Sequence, residues 1–245
     1  MKALIPLLAL AIAFPDLTAK VLAAVDPISF GSRAGDTYTA TWSGSTAIPD
    51  NNLSGVAFSL NFNDPSENRI SGLTVSFAIQ GGWNGDMYAY LSHGDGQVVL
   101  LNRIGRSSAT PDGSGTSGFD LNTFTLSSAP LLTDVHTAAG TTGAPLAGTY
   151  APDGRKILPT ADAPTFDGAT RDATFTALLG SNPNGDWTLF FADVGPGSPF
   201  TLTDFRIVAE VPEPVTWALL AFATVFGFVH VVRLCRRRFP SAAVD

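Results

Sequence analysis

The chain of 245 residues has 14% charged residues, 24 glycines, 17 prolines and 10% aromatics, the usage of many short strands joined by turns around one sizeable core. Between Val25 and Pro214 there are 19 acidic against 8 basic side chains, a net charge of −11; this excludes the clustered basic surface of a nucleic-acid-binding protein and leaves divalent cations or cationic surfaces as easier partners. The single cysteine, Cys235, excludes an internal disulfide and a cysteine-based metal cluster, so packing alone must hold the fold.

In chain order, Lys2, the apolar stretch Ala3 to Phe14 and the small residues around Val21-Leu22-Ala23-Ala24 read as a secretory signal peptide over 1–24, cleaved after Ala23 or Ala24. The run is shorter than the ~20 apolar residues of a spanning helix. A strand-like arm follows over 25–44. From there to residue 210 the apolar periodicity is two rather than 3.6. Val56, Phe58, Leu60 and Phe62 alternate with Ala57, Ser59 and Asn61, and Leu73, Val75, Phe77 and Ile79 with Thr74, Ser76 and Ala78. Further strands are expected over Met87 to Leu91, Val98 to Asn102, Asn122 to Leu126, Trp187 to Ala192 and Phe205 to Val208. Turn-rich pieces such as Asn84-Gly85-Asp86, Gly94-Asp95-Gly96 and Asn182-Pro183-Asn184-Gly185 separate them. Arg106 to Phe119 and Leu131 to Thr174 read as surface excursions, where binding functions tend to reside.

The order of motifs resembles the proprotein-convertase P-domain, also called P/Homo B, over about residues 45–210. The blocks are Ala47-Ile48-Pro49-Asp50, Ile70 to Ile79, Gly82-Trp83-Asn84-Gly85-Asp86-Met87, Leu91 to Leu101, Asn184 to Asp193, and Leu202 to Val208. The resemblance implies an all-β fold, a jelly-roll β-sandwich of about eight strands in which Trp83 and Trp187 pack the core. His93-Gly94 departs from the family's proline-containing turn, and the segment from Ala138 to Ala177 is expanded. In that family the domain follows a subtilisin-like protease domain and stabilises it. Here a signal peptide and a short arm precede it, so the resemblance implies a packing, binding or adaptor module and no hydrolysis.

The residues themselves offer little catalytic chemistry. With His230 in an apolar span, His93 and His136 are the candidate bases, and neither has a supporting nucleophile signature; surface turns are their expected places. Asp86 and Asp193 stand at strand-end turns beside glycines that let carbonyl oxygens approach a ligand, and hard oxygen donors of this kind suit calcium. Aspartate also closes tight turns through its own backbone, which serves equally well. Trp42, Trp83, Tyr88 and Tyr90 could form a stacking platform for exopolysaccharide, although large aromatics are ordinary core and rim residues.

The C-terminal end is the more specific. Pro212-Glu213-Pro214 is followed by the apolar run Val215 to Val232 and then Arg233, Arg236, Arg237 and Arg238. Such a run covers a hydrocarbon core of about 30 Å as a single transmembrane helix, and the arginines place the body outside. The prolines favour extended backbone and lack amide donors, which keeps the junction exposed. Segment 211–238 resembles the PEP-CTERM sorting signal, with 239–245 as a short tail. That resemblance implies an exosortase-type transpeptidase as partner. It also implies an inner-membrane precursor and delivery to the cell surface or extracellular matrix of a Gram-negative bacterium. The combined expectation is an exported, noncatalytic surface or matrix β-sandwich; the alternative is a stand-alone P-domain that stabilises or regulates a separately encoded, extracellular subtilisin-like protease.

Overall fold

The computed structural model describes residues 28–212, 222–228, 230 and 233. The signal peptide and most of the apolar run lie outside these residues. Among the described residues no helix is long and apolar enough to cross a membrane.

Ten strands follow in chain order: β1 (Ile28–Ser29), β2 (Thr37–Ile48), β3 (Asn52–Phe62), β4 (Gly72–Gly81), β5 (Met87–His93), β6 (Gly96–Asn102), β7 (Phe119–Ser127), β8 (Leu146–Tyr150), β9 (Gly185–Asp193) and β10 (Phe200–Glu210). They form two five-stranded sheets, ordered β1-β3-β9-β5-β6 and β2-β10-β4-β7-β8. Pairing is antiparallel except for β1 with β3 and β7 with β8. Both sheets are therefore mixed, and they face each other as a β-sandwich.

The alternation in the sequence places one face of each strand in the shared core. Leu73, Val75, Phe77 and Ile79 on β4 are at most 2% exposed, as are Leu60 and Phe62 on β3 and Leu189 and Phe191 on β9. Phe77 meets Phe191 across the layers with ring centroids 5.3 Å apart at 82°, the edge-to-face geometry that the ring quadrupoles favour. Each fully buried side chain of this size contributes about 1.5–3 kcal/mol. On the outer face of the first sheet, Phe190, Ala57, Ala192 and Val194 form a second, smaller cluster, with Leu53, Tyr88 and Tyr90 against it.

The strands differ from the expected set at three places. The arm does not stop near residue 44: β2 runs through it to Ile48 and pairs with β10 from Thr37↔Glu210 to Ile48↔Phe200. Within the excursion after Leu131, the Gly- and Thr-containing β8 adds an edge beside β7. The two-residue β1 is the other addition to the eight strands expected. Both extra strands join by parallel pairing, β1 to β3 past the intervening β2 and β8 to β7 across the loop 128–145, which periodicity cannot reveal.

Candidate functional site

One end of the sandwich gathers the turn Pro49-Asp50-Asn51 between β2 and β3, the 3₁₀ turn Asn84–Asp86 that opens β5, and the end of β9. Asp193, the last residue of β9, pairs with Met87 on one side and Asn52 on the other. Asn84 fixes this end: its side-chain amide donates to Thr116 Oγ1 (2.9 Å) and to the Gly118 carbonyl (3.0 Å), and its Oδ1 accepts from the Gly118 amide (3.0 Å). Gly85 leaves no room for a side chain, because a Cβ there would lie 2.4 Å from the Asp112 carbonyl oxygen.

The two aspartates singled out in the sequence come together here in different states. Asp86 is neutralised by Arg103, which donates to Asp86 Oδ1 (2.8 Å) and, through Nε, to the Gly85 carbonyl (2.8 Å). Burial still pushes the Asp86 carboxyl above its ordinary range against the pull of Arg103. Asp193 is 1% exposed. Its Oδ1 accepts from the Gly195 amide (3.3 Å), whereas Oδ2 is buried with no hydrogen-bond partner among the described residues. The carboxyl is pushed up to about 7, first by burial, then, against the Gly195 hydrogen bond, by the neighbouring charges of Asp50 and Asp86. Asp50 is the member that sequence reasoning missed, although its turn lies within the first P-domain-like block. Its carboxylate accepts from the Gly197 amide at 3.1 and 3.3 Å. Among the described residues no three His, Cys, Asp or Glu side chains form a metal-ligand group.

Both histidines of the body are buried rather than on surface turns, and neither has a free ring nitrogen. His136 Nδ1 lies 2.7 Å from Asp153 Oδ2 and Nε2 3.0 Å from the Arg106 carbonyl oxygen, so both nitrogens face acceptors, an arrangement that favours the protonated ring. Burial opposes that charge, but the Asp153 hydrogen bond and charge outweigh it and the pKa is raised. Arg155 and Arg171 complete the network around Asp134 and Asp153. His93 stacks on Trp187 (4.3 Å, 12°), and its nitrogens face the Asp186 (2.9 Å) and Asn182 (2.7 Å) carbonyls. A cleft of about 630 Å³ runs past His93 between Asp95, Lys156 and Asn182, but it receives no free base from that ring.

The four aromatics considered for sugar stacking are separated. Trp42 packs on Phe58 and Phe205 at the inner layer. Trp187 packs the core as the resemblance implied, at 1% exposure, but Trp83 does not: it is 40% exposed. The motif's turn is anchored by Asn84, so its indole is free to project. Tyr88 and Tyr90 do lie together on the outer face, 6.1 Å between ring centroids, with Tyr90 stacked on Phe190 at 4.8 Å. Of the sorting residues, Pro212 and Arg233 fall within the described residues; Pro212 directly follows Val211, whose amide donates to the Asp36 carbonyl (2.8 Å). Glu213, Pro214, Arg236, Arg237 and Arg238 lie outside them.

The fold and this rim define a two-sheet β-sandwich with an acidic end. No protein-family model matches the chain, and no curated protein matches it. Among solved structures it is similar to the serine protease of Aeromonas sobria in complex with a chaperone, at 10% identity and a TM-score of 0.39, over 71% of this chain and 26% of that one. The A. sobria serine protease alone gives 11% identity and a TM-score of 0.37 with the same coverage. The chain thus spans about a quarter of the length of those chains, and at such scores the architecture rests on the sheets themselves.

Proposed function

We propose that this chain is an exported, noncatalytic β-sandwich module that acts as an accessory domain, packing on a separately encoded subtilisin-like protease and stabilising or regulating it. The observation that supports the noncatalytic part is the placement of the two body histidines: all four ring nitrogens lie against carbonyl or carboxylate oxygens, so neither ring presents a free nitrogen to a nucleophile. The partner is supported by the P-domain resemblance and by a sandwich in which the Asn84 turn and the Trp187 strand fall in two of the blocks that carry it. Delivery follows from the two ends of the sequence: a signal peptide for export, and a PEP-CTERM-like tail for an exosortase that removes the apolar helix and leaves the body at the cell surface or in the matrix.

Gel filtration of the protein extracted from its native cells, with mass spectrometry of each fraction, tests both parts together. The reading predicts co-elution with a subtilisin-like protease and termini trimmed near Ala24 and near Pro212–Pro214. Co-elution with polysaccharide, bound through the Tyr88–Tyr90 face, would replace the protease partner by a matrix one, and an untrimmed chain would remove the sorting step.

A further inference from the structure

Two features meet at the end of the second sheet opposite the acidic rim. The first is the exit of β10, which ends at Glu210 between Thr37 and Gly72. The Val211 amide donates to the Asp36 carbonyl (2.8 Å) and pins the chain there. The apolar run begins at Val215, and the four residue steps from Val211 to Val215 span at most about 14 Å. A membrane-spanning run therefore holds this end of the sandwich against the bilayer, on the outer side that the arginines fix.

The second feature is the loop that leaves β7. In the order β2-β10-β4-β7-β8, β7 stands two strands from β10, about 10 Å away, and it ends at the same side, with Ser127 opposite Thr74 of β4. Both feet of the loop are tied down. The Ser128 amide donates to the Leu73 carbonyl and its Oγ accepts from the Leu73 amide, each at 2.9 Å, and the Thr133 carbonyl accepts from the Ala151 amide (2.8 Å). Between the feet, Ala129-Pro130-Leu131-Leu132 carries no charge. Leu131 is fully exposed and takes a left-handed φ of 64°, a conformation that a leucine rarely adopts. A firmly footed loop thus presents an apolar side chain to solvent beside the exit of the apolar tail.

We propose that the β7 exit loop docks on the lipid surface of the membrane that anchors the precursor, with Leu131 inserted among the acyl chains. The proposal rests on reading Val215 to Val232 as a membrane span. Lipid is the occupant because the short spacer brings a bilayer to this loop in every anchored copy, and an uncharged tip enters it without desolvating an ion. Docking stands the body on the membrane and holds Pro212-Glu213-Pro214 at the surface, where a membrane transpeptidase works. Burial of one leucine shifts the balance of docked and free bodies on the order of 10–100-fold. That is enough for a tethered body and too little for an untethered one, so the body leaves once the junction is cut.

The test places a polarity-sensitive fluorophore next to the tip, at A129C in the full-length chain with C235S, reconstituted into vesicles of phosphatidylethanolamine and phosphatidylglycerol. The same fluorophore at S198C, an exposed position at the opposite end, is the reference. The label at 129 is expected to shift to the blue and to be quenched by lipids carrying a nitroxide on the acyl chain, while the label at 198 keeps its aqueous emission. Adding L131S, an exposed substitution that leaves the core intact, abolishes both effects. A chain that does not float with the vesicles removes the span and the docking together. A chain that floats with the label at 129 unshifted, or shifted equally in L131S, overturns the docking alone. A shift that follows the number of chains per vesicle and ignores the lipid nitroxide makes the tip a contact between copies and overturns the lipid surface as its partner.

Discussion

His136 is the residue whose chemistry reaches furthest into the fold. Its ring ties the Asp153 carboxylate to the Arg106 carbonyl and stacks on Phe166 at 5.8 Å and 11°, so one side chain joins segments outside the sheets. Because the folded pKa is raised above the unfolded value of 6.5, this contribution is fully present below that value and is lost as pH rises through the folded pKa. A chelator-treated chain carrying H136Q is expected to show a flatter dependence of melting temperature on pH between mildly acidic and mildly alkaline buffers than the unsubstituted chain; parallel curves would contradict the assignment. At this scale the sequence was partly legible. Asp86 and Asp193 could be found because turn aspartates beside glycines are conspicuous. Their different fates could not, since Arg103 and Asp50 approach from loops distant in sequence. The burial of His93 and His136 was hidden for the same reason: short histidine-containing turns look alike whether a loop covers them or not.

Among the elements, β9 carries most of the architecture. It lies between β3 and β5 in the middle of its sheet and delivers Trp187, Leu189 and Phe191 to the shared core, Phe190 and Ala192 to the outer cluster, and Asp193 to the rim. Being buried on both faces, it reads in sequence as a nearly continuous apolar run rather than an alternating one. Phe191→Ala is expected to cost about 3–5 kcal/mol in denaturant unfolding of the full-length chain, because the ring is fully buried and edge-on to Phe77 in the facing sheet. A loss under about 1 kcal/mol would mean that the layers do not pack through this contact. The strands with strong alternation or long apolar runs, β3, β4 and β9, were all legible. β8 was not: Leu146 is its single fully buried apolar residue, and its pairing comes from β7 rather than from its own pattern. β2 was seen as an arm because Ser43-Gly44-Ser45 interrupts its pattern. In the structure that interruption is a bulge opposite the register shift between Leu202 and Asp204, which bends the edge strand without ending it.

At the scale of the whole molecule, the described residues close a continuous apolar layer between the two sheets. An accessory domain of this kind lowers the population of the open states through which a partner is lost, since anything that binds only the folded partner stabilises it by mass action. The most direct measurement is the heat-inactivation half-life of a subtilisin-like protease that co-elutes with the chain from its native cells, followed alone and with the full-length chain in excess. The account predicts a longer half-life with the chain present and no hydrolysis by the chain itself; an unchanged half-life, or substrate cleavage by the chain in the absence of the protease, would contradict it.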